Sequence, residues 1–282
     1  MRLTAIVKKY GIILDKEKDQ HFMISDEMME KMIKLADLAG SDVVLEIGSG
    51  IGTLTRKLLA TNAKIIAVEK DDVFVKILRK EFQNYKNLKI INGNILKLIG
   101  DIKFNKSISN IPYSIAEALI TRLTRLNFDV CVFSVPLNFF QIITSKFGSK
   151  KFSTLSLRVK SFFSVEFGFY VSKEMFYPQP ATDSVVISLR PLKIDEYKEN
   201  PEKYILREVF LQPKKKLKNA LREAVINLNK KIYNKDFTKR MAKSFIKDLG
   251  IDKEILEKRN PGISDWETVL ERIRLHKSLF VR

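Results

Sequence analysis

Asp42-Val43-Val44-Leu45-Glu46-Ile47-Gly48-Ser49-Gly50-Ile51-Gly52 joins an apolar run of strand length to a cluster of glycines. Val, Leu and Ile dominate the run, as in a strand covered on both faces. The glycines let the chain turn sharply and pass close to a ligand before the helix expected over residues 53–60. This is the opening β-turn-α unit of a nucleotide-binding α/β sheet. The spacing is Gly-x-Gly-x-Gly headed by Glu46, unlike the Gly-x-Gly-x-x-Gly of dinucleotide sites. It points to a ligand without a pyrophosphate.

Working outward, a second apolar strand over 64–68 ends at Glu69, 17 residues beyond Gly52. A carboxylate at that place can accept both hydroxyls of a ribose; it can equally pair with Lys70 or cap the helix expected over 71–82. A strand over 88–92 delivers Gly93-Asn94-Ile95, where Asn94 can accept from an adenine amine while the backbone N–H of Ile95 donates to a ring nitrogen. The alternative there is a plain turn. Strands over 104–109 and 128–133 flank a helix over 115–126, and this alternation predicts a mainly parallel, doubly wound sheet with its ligands at the carboxyl edge. Upstream, residues 1–11 carry no assignment, and Ser25 or Asp26 is a candidate cap for a helix running to Leu38.

Ser109-Asn110-Ile111-Pro112-Tyr113-Ser114 arrives at the same edge. The amine of adenine is a poor nucleophile because its lone pair is conjugated into the ring. If the Asn110 side-chain carbonyl and the Ile111 backbone carbonyl each accept one N6 hydrogen, that nitrogen is helped towards a tetrahedral geometry. Pro112 fixes its own φ and holds Ile111 extended, and Tyr113 offers a π-face to a base. An ordinary Asn-x-Pro turn is the alternative. Later, Phe176-Tyr177-Pro178-Gln179-Pro180 reads as a rigid loop with Phe176 at its tip, stacking on a base or else packing in the core. A strand over 183–189 follows.

The chain has 282 residues and 45% hydrophobic content, enough for one large domain and a small one. Lys and Arg number 51 against 33 Asp and Glu, a net charge of +18, which points to a polyanionic partner. Residues 193–282 hold 23 of these cations against 14 acids. The polar, proline-punctuated stretch 191–201 precedes them, so the domains are expected at 1–192 and 193–282. A basic, aromatic stretch over 146–160 suits a backbone-binding rim or a solvated helix face. The single cysteine, Cys131, rules out a disulfide framework, and with two histidines it forms no recognisable metal site. No leader or membrane-length apolar run is visible, so a cytoplasmic location is expected.

These residues, in this order, resemble the rRNA adenine N6-dimethyltransferases over nearly the whole chain. Gln20-His21-Phe22-Met23 is similar to the family's N-terminal Gln-Asn/His-Phe-Leu element, and Glu46 to Gly52 to its Glu-x-Gly-x-Gly-x-Gly loop. Glu69 and Asn94 match its ribose and adenine contacts, and Asn110 to Tyr113 its Asn-Leu-Pro-Tyr target-base motif. Phe176-x-Pro178-x-Pro180 with Asp183-Ser184 matches its late motif. Phe210 with Lys214, Lys215, Lys216 and Asn219 looks like its basic C-terminal helix.

The resemblance implies a Rossmann-like methyltransferase domain over 1–192 and a small, mainly helical, RNA-binding domain over 193–282. It implies S-adenosylmethionine as cofactor, held by Gln20, His21, Met23, Glu46, Gly48, Gly50, Gly52, Glu69, Asn94, Ile95 and Asn110, with Asn110, Ile111, Tyr113 and Phe176 at the target base. The implied activity is dimethylation of two adjacent adenosines near the 3′ end of small-subunit rRNA, on the small ribosomal subunit precursor, by a monomer. Departures are Asp19 for Gly, Ser49 for Pro, Asn94 for Asp, and Leu137-Asn138-Phe139 for Gln-Lys/Arg-Glu-Phe. Rival readings are an adenine methyltransferase on another RNA or on DNA, a non-catalytic ribosome-assembly factor, and, more remotely, a nicotinamide-dependent dehydrogenase.

Overall fold

In the computed structural model, which describes residues 3–12, 14 and 20–276, the apolar runs pair into one seven-stranded sheet. The strands are β1 (Phe22–Met23), β2 (Val43–Ile47), β3 (Lys64–Glu69), β4 (Leu88–Asn92), β5 (Lys106–Asn110), β6 (Val130–Pro136), β7 (Phe163–Val171), β8 (Phe176–Tyr177) and β9 (Ser184–Pro191). The large sheet has the order β4-β3-β2-β5-β6-β9-β7, parallel from β4 to β6, with β9 antiparallel to β6. The mainly parallel, doubly wound α/β sheet expected above is therefore present.

The chain winds from β2 outward to β4, then returns to start β5 on the other side of β2. That reversal is the switch point where open α/β sheets form their crevice. The ladder there is short, with Val44 opposite Lys106 and Leu45 opposite Ser107. Two serines continue the pairing in place of backbone: Ser107 Oγ donates to the Leu45 carbonyl at 2.7 Å, and Ser109 Oγ accepts from the Ile47 N–H at 2.8 Å.

Helices cover the sheet as the spacing of their apolar residues requires. The helix Asp26–Ala36 is capped by Ser25 and buries Met29, Met32 and Ala36; it stops short of Leu38 because Asp37 turns left-handed at φ 48°. The helix Asp72–Glu81 is capped by Asp71, whose side chain accepts from the Val73 and Phe74 N–H groups. The unassigned N-terminal stretch contains a helix, Leu3–Tyr10, whose Leu3 and Ile6 pack with Phe22, Ile51, Phe74 and Ile77.

The chain divides into two compact units, Met1–Phe140 with Ser164–Pro191, and Gln141–Phe163 with Leu192–Arg282. The single cut expected after residue 192 thus differs from the observed division, because the stretch 141–163 goes with the second unit. The reason is packing: Leu157 of the helix Thr154–Phe162 joins a helical core with Ile205, Leu221, Val225, Trp266 and Val269. Among the described residues no helix is long and apolar enough to cross a membrane.

Candidate active site

A pocket opens at the carboxyl ends of β2, β3, β4 and β5. Gln20, His21, Met23, Glu46, Gly48 and Gly50 line it. Glu69, Asn94, Ile95, Asn110, Ile111 and Tyr113 complete it. Sequence positions almost 100 residues apart converge because each lies at or near the carboxyl end of a parallel strand, or on β1 or just before it. Asp19 lies outside the described residues.

The glycine loop is shaped by protein packing as well as by room for a ligand. Gly50 sits at φ 54°, and a Cβ placed there would lie 2.2 Å from Cε1 of Phe22. Gly52, expected against the cofactor, does not line the pocket. It starts the helix Thr53–Leu58 at φ 87°, and a Cβ there would meet Phe82 Cε2 at 2.4 Å. Its requirement for glycine comes from that left-handed turn and the Phe82 ring.

Two carboxylates sit under this loop. Glu69 accepts three backbone hydrogen bonds at 2.8 Å: Oε2 from the Gly50 N–H, Oε1 from those of Lys70 and Asp71. It thereby ties the β2 turn to the end of β3, and Oε2 keeps acceptor capacity towards the pocket. Burial raises its pKa, opposed by those three N–H groups. Glu46 is 2% exposed and accepts from Thr55 Oγ1 at 2.6 Å. Burial pushes its pKa up to about 8, with the nearby Glu69 charge adding to the rise, so Glu46 is mostly uncharged at neutral pH. Thr55 had no reading in the sequence; a polar residue nine positions after an acid leaves no pattern to find.

The target-base motif is held by the N-terminal element. Asn110 Nδ2 donates to the His21 carbonyl at 2.7 Å, which fixes the amide so that Oδ1 is the buried oxygen. That oxygen has no hydrogen-bond partner among the described residues. The Ile111 N–H donates to the Ser134 carbonyl at 3.3 Å, and its side chain is buried. Tyr113 at the pocket wall hydrogen-bonds through its hydroxyl to Ser184 Oγ, so the late Asp-Ser motif orients this ring.

The N-terminal and late motifs pair directly. β1 and β8 are antiparallel, with Phe22 opposite Tyr177 and Met23 opposite Phe176. The Pro178 carbonyl lies 2.7 Å from His21 Nδ1. This pairing corrects the reading of Phe176 as an exposed stacking ring. Phe176 is 2% exposed and packs with Met23, Met29, Val171 and Val186, while its neighbour Tyr177 is half exposed. Strand alternation explains the exchange: the residue facing the core is fixed by the pairing with Met23, and the next one faces out.

Asn94 caps the helix Ile95–Leu98, its Oδ1 accepting from the Leu96 N–H at 2.9 Å. It lines the pocket with one acceptor position left, and Ile95 supplies a first-turn N–H that has no acceptor within its own helix. Phe22, which no ligand argument singled out, is the side chain that makes Gly50 obligatory.

Residues 14–249 match the model of a family described as ribosomal RNA adenine dimethylase. A probable ribosomal RNA small subunit methyltransferase A of Thermococcus onnurineus is 37% identical over 223 residues, 79% of this chain and 81% of that protein. The ribosomal RNA small subunit methyltransferase A of Thermotoga petrophila is 34% identical over 222 residues, 79% of this chain and 85% of that one. The crystal structure of a dimethyladenosine transferase from Plasmodium falciparum has TM-score 0.60 at 27% identity, covering 89% of this chain and 96% of that one. With its pocket built from the motif residues and the family model spanning most of its length, the chain belongs to the ribosomal RNA adenine dimethylase family.

Proposed function

We propose that this chain dimethylates N6 of two adjacent adenosines near the 3′ end of small-subunit rRNA, with S-adenosylmethionine as methyl donor, acting as a monomer on a small-subunit precursor in the cytoplasm. The observation that carries the reading is Asn110 Oδ1, a buried carbonyl oxygen at the pocket with no donor to satisfy it among the described residues. Leaving such an atom unsatisfied costs roughly 1–3 kcal/mol. An amine N–H entering beside it relieves that cost, and Tyr113 offers the face on which the base can lie.

The residues fit the cofactor. Oε2 of Glu69 can take a ribose hydroxyl, Asn94 and the Ile95 N–H an adenine edge, and the turn at Gly48 and Gly50 the amino-acid end. Bound there, S-adenosylmethionine supplies a methyl group made electrophilic by its sulfonium. Asn110 Oδ1 and the Ile111 carbonyl would hold the two amine hydrogens of a base taken out of its stack, drawing the lone pair out of conjugation. Their fixed positions supply the catalysis, through orientation and electrostatics. No protein base is needed, since the proton becomes acidic once N6 is alkylated and leaves to water. The unit formed by 141–163 and 192–282 would hold RNA backbone, in keeping with the net +9 of residues 193–282.

The test is transfer of labelled methyl groups from S-adenosylmethionine to unmethylated small ribosomal subunits, with nucleoside analysis of the RNA. Dimethyladenosine with wild type and none with Asn110→Ala is the expected outcome. Cofactor binding without transfer would move the substrate to another RNA or to DNA. Failure of both would leave an assembly factor without catalysis.

A further inference from the structure

The second unit contains a cavity of about 120 Å³ whose lining shares no residue with the methyltransferase pocket. Arg158, Phe210, Gln212, Lys215, Arg259 and Trp266 line it, and no carboxylate does. Its size is comparable with the roughly 150 Å³ engineered cavity that holds a benzene ring, so one planar ring or one sugar-phosphate fits and a base pair does not.

Three observations define what the cavity would take. The first is aromatic: the Phe210 and Trp266 rings, 5.2 Å apart and tilted by 41°, and the Arg158 guanidinium, 5.1 Å from the Phe210 centroid, form one wall; Trp266 is 3% exposed and meets only what enters the cavity. The second is charge. Lys215 is already paired with Glu223 at 2.5 Å, whereas Arg259 is exposed at the rim with no carboxylate partner among the described residues. The third is an orphaned acceptor. Gln212 Nε2 donates to the Glu208 carbonyl at 3.0 Å, which fixes the amide and leaves Oε1 buried without a donor among the described residues. A ligand that suits all three is planar, carries an anion for Arg259, and brings an N–H or O–H to Gln212.

We propose that this cavity is a second RNA site, which takes one unpaired nucleotide of the substrate: phosphate on Arg259, base or sugar against Phe210 and Trp266, and an exocyclic amine or ribose hydroxyl donated to Gln212 Oε1. The proposal rests on the reading above that the partner is RNA. It assigns a defined single-nucleotide contact to a unit otherwise described by its net charge and the basic motif at Phe210 and Lys214 to Lys216.

Trp266 is the only tryptophan of the chain, so its emission reports on this cavity alone. The full-length protein is titrated with a short end-labelled single-stranded RNA, following label anisotropy and Trp266 fluorescence together. Adenosine 5′-monophosphate and inorganic phosphate are titrated separately. The expected result is saturable change of Trp266 emission over the same RNA concentrations as the anisotropy change, with the mononucleotide and phosphate acting only at far higher concentration. Arg259→Gln should weaken RNA binding about tenfold and lower its salt slope by about one, and Gln212→Leu should weaken binding without changing that slope. Lys243→Gln, at a residue that does not line the cavity, should leave the Trp266 response unchanged.

RNA binding with a silent Trp266, or both cavity variants binding as wild type, would overturn the site. Saturation by the mononucleotide below the RNA concentrations would overturn RNA as its occupant. Methyl transfer measured on the same preparation separates the two readings. Normal transfer with a silent Trp266 removes only this site, whereas a full Trp266 response without transfer removes only the proposed methylation.

Discussion

The side chain of Asn110 donates to the backbone carbonyl of His21 at 2.7 Å, so a residue at the end of β5 has its orientation set by one 89 positions earlier. The contact leaves Asn110 Oδ1 buried and without a donor among the described residues. Asn110→Asp replaces the donor with a second acceptor facing that carbonyl. Turnover on small subunits should fall by about 10²-fold or more at pH 8, the range for loss of a preorganised polar contact. It should recover in part as pH falls, because a protonated carboxyl can again donate to His21. A pH-rate profile of wild type and variant checks this; equal profiles would remove the orienting role.

Gly50 and Phe22 form a second such pair, with 2.2 Å separating Phe22 Cε1 from a Cβ placed on Gly50. Gly50→Ala should lower stability by about 2 kcal/mol or more, combining left-handed strain of about 1–2 kcal/mol with the overlap. Adding Phe22→Ala removes the ring, so the double variant should be more stable than the sum of the two single losses predicts. Urea unfolding of the four proteins measures the coupling.

Glu46 makes stability depend on pH in a defined direction. Its folded pKa of about 8 exceeds the ordinary 4.5, so the folded state binds more protons than the unfolded state between those values. Its contribution is therefore full below about pH 4.5 and is lost as pH rises through about 8. Glu46→Gln keeps an acceptor for Thr55 and cannot ionise. The variant should match wild type near pH 5, exceed it at pH 9, and show a flatter profile between. Thermal unfolding from pH 5 to 9 gives the comparison; parallel profiles would place Glu46 in its ordinary range.

Phe176 and Tyr177 divide core and surface roles between adjacent residues. Phe176→Ala should destabilise by about 3–5 kcal/mol, as expected for a buried ring, while Tyr177→Ala should change stability by about 0.5 kcal/mol or less. Phe176→Leu, which keeps much of the volume, should leave turnover on RNA near wild type. A large loss of turnover in that variant, with its stability intact, would return Phe176 to the base-binding surface.

Much of this protein follows from local sequence. Strands β2 to β6 were legible because each is a short apolar run with a polar or glycine stop, and their alternation with helices fixes a parallel sheet and its carboxyl edge. Glu46, Glu69, Asn94 and Asn110 were legible as site residues for the same reason: each stands at or near a strand end, and strand ends in such a sheet meet at one edge. The charge excess, and the motifs that place the chain in its family, are likewise properties of order and spacing.

Only the tertiary structure decided which residues touch. The two-residue strands β1 and β8 have no periodicity to read, and their pairing depends on contacts across more than 150 positions. That pairing turned Phe176 inward and Tyr177 outward, and it brought the His21 carbonyl to Asn110. Gly52 was set against Phe82 and outside the pocket lining. The stretch 141–163 joined the second unit because Leu157 found its apolar neighbours there. Burial is a property of the assembled chain: it pushes the pKa of Glu46 up to about 8 and raises that of Glu69, and no local pattern marks either of them off from the exposed glutamates.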